Sequence, residues 1–122
     1  MLKALGLIII GIALGCGAAV AWMHHRAVRF DSQFQAILLD TGQVYYGHLE
    51  GLGTSIPVIT DVYYVNSITN PQTKEVANIL VRRGKEWHAP DRMYLNARHI
   101  VMVEPVSPNS KVAQLIAETN QK

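Results

Sequence analysis

The longest unbroken apolar run in the chain is residues 4–23, ALGLIIIGIALGCGAAVAWM, which carry no charge. Wound as an α-helix at ~1.5 Å per residue, this run covers ~30 Å, the hydrocarbon thickness of a bilayer. It predicts a membrane-spanning helix over residues 1–23, followed by a polar juxtamembrane linker over 24–32, HHRAVRFDS. The pattern then changes from continuous to alternating. In residues 33–40, QFQAILLD, Phe34, Ala36 and Leu38 fall on one face of a strand and Ile37 and Leu39 on the other. Asp40-Thr41-Gly42-Gln43 is a turn. Residues 43–49 return as a strand, with Val44, Tyr46 and His48 on one face and Tyr45, Gly47 and Leu49 on the other. A glycine inside a strand, here Gly47, predicts a bulge, a strong bend or a close backbone approach.

Residues 50–57, EGLGTSIP, form a glycine-rich loop, and 58–68, VITDVYYVNSI, a third strand rich in β-branched and aromatic residues. Asn70-Pro71-Gln72-Thr73 is a turn leading to a fourth strand over 75–83. Residues 84–92, GKEWHAPDR, are the most polar connection, 93–96 a short strand or helical turn, and 97–106 the last strand. Ser107-Pro108 reads as a helix cap followed by proline at the first helical position, with the helix running to about Glu118. Val112, Leu115 and Ile116 give that helix one apolar stripe. The pattern is α+β: an N-terminal transmembrane helix (1–23), a linker (24–32), a small antiparallel β domain (33–106) and a C-terminal amphipathic helix with its tail (107–122).

Composition narrows the picture. The chain has 122 residues and a formal charge of +2. Without the anchor, ~95 residues remain, enough for one modest domain. Near-balanced charge gives no strong pull toward nucleic acid or an anionic surface, and no nucleic-acid partner is expected. The single cysteine, Cys16, lies in the apolar run, so the polar part has no disulfide and no thiolate nucleophile.

The first hairpin, ILLDTGQVYYGHLEG, resembles the first half of an Sm-like domain, with an apolar strand, a turn glycine at Gly42 and a returning strand carrying Gly47. LNARHIVMVEPV resembles the closing strand pair of that family. The resemblance spans residues 34–106 and implies a small Sm-like or SH3-like barrel of about five strands. It does not carry RNA binding, because EGLGTSIPVIT, after Leu49, lacks the Asp and Asn pair that frames the family's RNA pocket. Related barrels serve as interaction modules or rings. The whole chain also resembles small uncharacterised single-pass bacterial membrane proteins, which implies no function.

Several membrane readings fit the first segment. In the leading one it is a permanent anchor, with Trp22, Arg26 and Arg29 at the interface. The alternatives are a cleaved signal peptide, with Lys3 before the apolar core and Ala19-Val20-Ala21 for cleavage, and a lipoprotein signal ending at Cys16. Gly11, Gly15 and Ala19 stand four apart and form a small-residue ridge suited to helix packing. The short basic start favours the N-terminus inside the inner membrane and the domain on the outer, periplasmic side; a cytoplasmic domain is the alternative.

Chemistry is sparse. No nucleophile elbow, H-E-x-x-H, phosphate-binding loop or dinucleotide fingerprint occurs, so neither an enzyme nor a cofactor is expected. His48, His88 and His99 could form a zinc site, but their spacing does not require one, and exposed or hydrogen-bonded roles are the expectation. The contact candidate is RRGKEWHAPDR, where Arg82, Arg83 and Arg92 supply forked donors, and Trp87 and His88 supply aromatic surface. The leading function is a non-enzymatic structural or accessory subunit of a membrane or cell-envelope assembly. Its partners would be the lipid bilayer and either other membrane subunits or copies of itself. The alternative is a membrane-tethered binding module for a peptide, glycan or envelope polymer that uses the Trp87 loop.

Overall fold

The computed structural model describes residues 1–25 and 28–121. Helix α1, Leu2–His25, has 24 residues and extends two residues beyond the apolar run at either end. Its Leu2–Trp22 stretch has mean hydropathy 2.4, and none of it is buried against the other described residues. Leu5, Leu7, Ile8, Ile9 and Ile10 are all exposed, so apolar side chains surround the helix. A helix apolar on every side has no face suited to water. By length and composition α1 can cross a membrane, a test that a signal sequence also passes.

The remaining elements are β1 (Gln35–Leu39), β2 (Val44–Glu50), β3 (Val58–Thr69), β4 (Val76–Arg82), β5 (Arg92–Tyr94), a 3-10 turn (Ala97–His99), β6 (Ile100–Pro105) and α2 (Lys111–Asn120). Six antiparallel strands replace the five of the sequence expectation, because Arg92–Tyr94 forms its own short strand. The sheet order is β4-β3-β2-β1-β6, with β5 also on β3. β6 pairs with β1, and no ladder among the described residues joins it to β4 or β5. The sheet is therefore open rather than hydrogen-bonded into a closed barrel.

β3 organises the sheet. Its first residues, Val58 to Thr60, lie between β2 and β5, and its later ones, Tyr63 to Thr69, pair with β4. The change of partner falls at Asp61, whose φ is 47°, and the β2–β3 register shifts opposite, between Tyr46 and His48. One edge of β3 thus feeds two ladders, β5 and then β4, through a bulge and a bend, while β2 forms a third. Gly47 sits where the chains come closest: a Cβ there would stand 2.6 Å from Thr60 O and 2.7 Å from Ile59 Cγ1.

Ile37, Leu49, Ile59, Val62 and Leu95 form the core, with Tyr45, Met93 and Val103 packed against it. Gln35 shares the core face of β1 and is only 3% exposed. Its Oε1 accepts from Leu49 N at 2.8 Å, and its Nε2 donates to Ser32 O at 2.7 Å, so a buried polar group is satisfied at both ends. On the opposite face, Phe34 stacks on His48 with ring centroids 4.5 Å apart and meets Tyr63 edge-on. Ile116 of α2, 3% exposed, is buried on the C-terminal helix. Tyr63 donates its hydroxyl hydrogen to Asn120 Oδ1 at 2.9 Å, which ties the end of α2 to β3.

Two boundaries differ from the sequence expectation. α2 is capped by Ser110 rather than Ser107: Ala113 N donates to Ser110 Oγ at 3.1 Å. Pro108 stands in the preceding turn, closed by Ser110 N to Ser107 O at 3.0 Å, a position its fixed φ suits equally well. Residues 97–99 are a 3-10 turn rather than strand, because Asn96 Oδ1 accepts from Arg98 N and starts a helical turn there.

Candidate functional site

The Arg-rich connection between β4 and β5 is where the structure gathers most of the predicted contact residues. β4 and β5 both pair with β3, which brings Arg82 and Arg83, at the end of β4, onto the same cleft as Arg92, at the start of β5. The cleft has a volume of about 390 Å³ and is also lined by Asp61, Asp91 and Met93.

Each guanidinium has a carboxylate. Arg82 NH2 donates to Asp61 Oδ1 at 2.9 Å, and His48 Nε2 lies 3.5 Å from the other oxygen of Asp61. The Arg82 guanidinium also lies 5.9 Å from the centre of the Tyr63 ring. Arg92 forks onto its neighbour Asp91 at 3.2 and 2.9 Å. That pairing holds the Asp91 carboxyl below its ordinary value and raises Arg92. Arg83 Nε sits 3.1 Å from Glu86 Oε1, but its N–H is not aligned for a hydrogen bond, and this nitrogen is buried. The Arg83 guanidinium lies 6.0 Å from the Tyr45 ring, in the range of a cation–π contact.

Glu86 shapes the loop. Its Oε2 accepts from Gly84 N at 2.8 Å, and its backbone carbonyl accepts from Ala89 N at 2.8 Å. The Gly84 N–H is the main reason the Glu86 carboxyl is held below its ordinary value, with Arg83 and His88 contributing smaller effects of the same sign. Gly84 (φ 124°) and Ala89 (φ 44°) supply the left-handed turns that reverse the chain. Trp87 and His88 are thereby carried at the tip, both exposed, and Trp87 wholly so.

The other predicted residues lie elsewhere. Gly11, Gly15 and Ala19 are exposed on α1, and no other described residue lies within 4 Å of a Cβ added at Gly11 or Gly15. Trp22 and Arg29 are exposed, and Arg26 lies outside the described residues. The three candidate zinc histidines have separate environments. His48 faces Asp61, His99 Nδ1 lies 2.6 Å from Asp40 Oδ2, and His88 is on the loop tip. Among the described residues, no group of three or more His, Cys, Asp or Glu is placed to hold a metal ion.

Sequence reasoning missed Asp61. It is exposed at the bend of β3, and there it bridges His48 of β2 and Arg82 of β4. The available signal was a lone carboxylate interrupting the β-branched and aromatic run VITDVYYV.

What this arrangement can do is hold acidic or amphipathic groups. It offers forked donors on a cleft beside one large exposed ring. No protein-family model matches the chain, and no curated protein matches it either.

Proposed function

We propose that this chain is a non-enzymatic single-pass membrane protein, a structural or accessory subunit of a membrane or cell-envelope assembly. The observation that carries this is the unpaired β3–β4 ribbon. β4 hydrogen-bonds to β3 and to no other strand among the described residues, and beyond Tyr64 the ribbon exposes Val65, Ile68, Val76 and Ile79. An edge of seven residues with no proline and apolar side chains is a template for a further strand. That strand comes from a neighbouring subunit or from a second copy. The second support is α1, whose small-residue ridge is covered by none of the other described residues and suits packing against another membrane helix.

In this proposal the N-terminus lies inside the inner membrane and the domain on its outer side. The bent sheet is read as an Sm-like or SH3-like barrel left open, with β6 at one edge and β4 and β5 at the other. The test is the mass of the intact particle purified in mild detergent. A large particle of fixed stoichiometry that shrinks on Ile79→Lys supports a subunit that docks through β4. Shrinkage on Gly11→Leu or Gly15→Leu instead places the contact in the helix. A monodisperse monomer sinks the proposal.

A further inference from the structure

The surface around Trp87 has one ligand always within reach if α1 spans a bilayer, namely that bilayer. Three observations bear on it. Trp87 is wholly exposed at the tip of a loop held in shape by Glu86, so a large amphipathic ring is displayed rather than stored in the core. Indole rings favour the membrane–water interface, where the apolar body and the polar N–H are both accommodated.

The charge around the ring is cationic by one: Arg82, Arg83 and Arg92 pair with Asp61, Glu86 and Asp91, and Lys85 is the excess cation. The three arginines share one cleft, and each ion pair engages only part of a five-donor fork. The remaining N–H groups match the oxygens of a phosphodiester.

The third observation is the tether. α1 ends at His25 and β1 starts at Gln35, so nine residues separate them. Even fully extended they reach about 30 Å. Docking of the loop on the bilayer is therefore intramolecular, at an effective concentration on the order of millimolar. A contact too weak to hold a free domain on a vesicle suffices under those conditions.

From these we infer that the loop over residues 83–91 is a second membrane contact: Trp87 enters the headgroup layer of an anionic leaflet, and the cleft guanidiniums bind lipid phosphate. This rests on α1 being a membrane anchor, and two single-tryptophan forms of the full chain separate the two ideas. In Trp87→Phe, Trp22 reports on the helix; in Trp22→Phe, Trp87 reports on the loop. Each is reconstituted in vesicles of phosphatidylcholine, with or without phosphatidylglycerol, with brominated lipid as quencher and acrylamide as the aqueous probe.

The expected result is that Trp22 is quenched by brominated lipid in both vesicles. Trp87 emission shifts to the blue and is quenched when phosphatidylglycerol is present. Lys85→Gln in the Trp22→Phe background lowers the docked-to-undocked ratio about fivefold, the effect of one cation leaving an anionic surface. Trp87 remaining water-like and open to acrylamide in both vesicles, while Trp22 is quenched, overturns the proposal and returns the loop to a soluble peptide or glycan ligand. Equal quenching of Trp87 with and without phosphatidylglycerol overturns the assignment to anionic lipid. Trp22 that escapes lipid quenching overturns the anchor itself.

Discussion

Gly47→Ala adds a single methyl group at the tightest crossing in the sheet. The new carbon would lie 2.6 Å from Thr60 O and 2.7 and 2.9 Å from two side-chain carbons of Ile59. Neither neighbour yields easily. Thr60 O belongs to the backbone of β3 beside the Asp61 bend, and Ile59 is completely buried. Overpacking of this kind costs ~1–3 kcal/mol, and a clash with backbone belongs in the upper half of that range. Gly47 does not have a positive φ, so alanine adds no dihedral strain there. It also narrows the unfolded ensemble, which returns ~0.4–1 kcal/mol. The net loss is about 2 kcal/mol, and for a domain of this size the melting temperature falls by about 10 °C.

Gly42→Ala is the matched control, with the opposite cause. Gly42 has φ 83° and nothing within 4 Å of an added Cβ, so its cost is strain alone, about 1 kcal/mol. The assay is thermal unfolding of the full chain in mild detergent, followed by near-ultraviolet circular dichroism of the packed tyrosines. Gly47→Ala melting with the wild type, or less destabilised than Gly42→Ala, would show that β2 and β3 are not crossed as described.

Three further outcomes are expected. Gln35→Leu removes the acceptor of the buried Leu49 N–H and costs ~1–3 kcal/mol in denaturant titration despite its gain in apolarity; an unchanged midpoint refutes the buried bond. Tyr63→Phe loses the hydroxyl bond to Asn120, costs about 1 kcal/mol, and speeds amide exchange in the last turn of α2 ahead of its first turn. The Glu86 carboxyl is held low by Gly84 N, so the order it lends the loop is present above the ordinary glutamate value and lost as pH falls through the lowered one. The Gly84 amide resonance should titrate with a midpoint below the ordinary glutamate value and lose that transition in Glu86→Gln; a midpoint at or above that value contradicts the contact.

Much of the local structure was legible because it depends on short-range periodicity. A charge-free run of bilayer length can be seen without knowing its neighbours. The alternation of 33–40 and 43–49 assigned the strand faces as the structure has them, with Phe34, Ala36, Leu38, Tyr46 and His48 together and Ile37, Tyr45 and Leu49 opposite. It could not say which face is the core, because both faces of β1 are apolar. The burial of Gln35 against Leu49 N marks the core side, and a glutamine is a poor sequence signal for that role. The Ser110 cap was missed because Ser107-Pro108 and Asn109-Ser110 offer competing starts, and only the closed turn between them chooses.

By itself, the sequence determined a bilayer-length apolar helix, two hairpins with their turn residues, a strand with a glycine at a crossing, and a C-terminal amphipathic helix. Each follows from residues within a few positions of one another, through helix rise, strand alternation or turn dihedrals. Only the tertiary structure decided that β3 serves three ladders, that Asp61 joins β2 to β4, and that Arg82, Arg83 and Arg92 meet on one cleft. Those depend on which strand edges find each other across long stretches of chain. A bulge and a bend at Asp61 set that choice, and hydrophobic period carries no information about it.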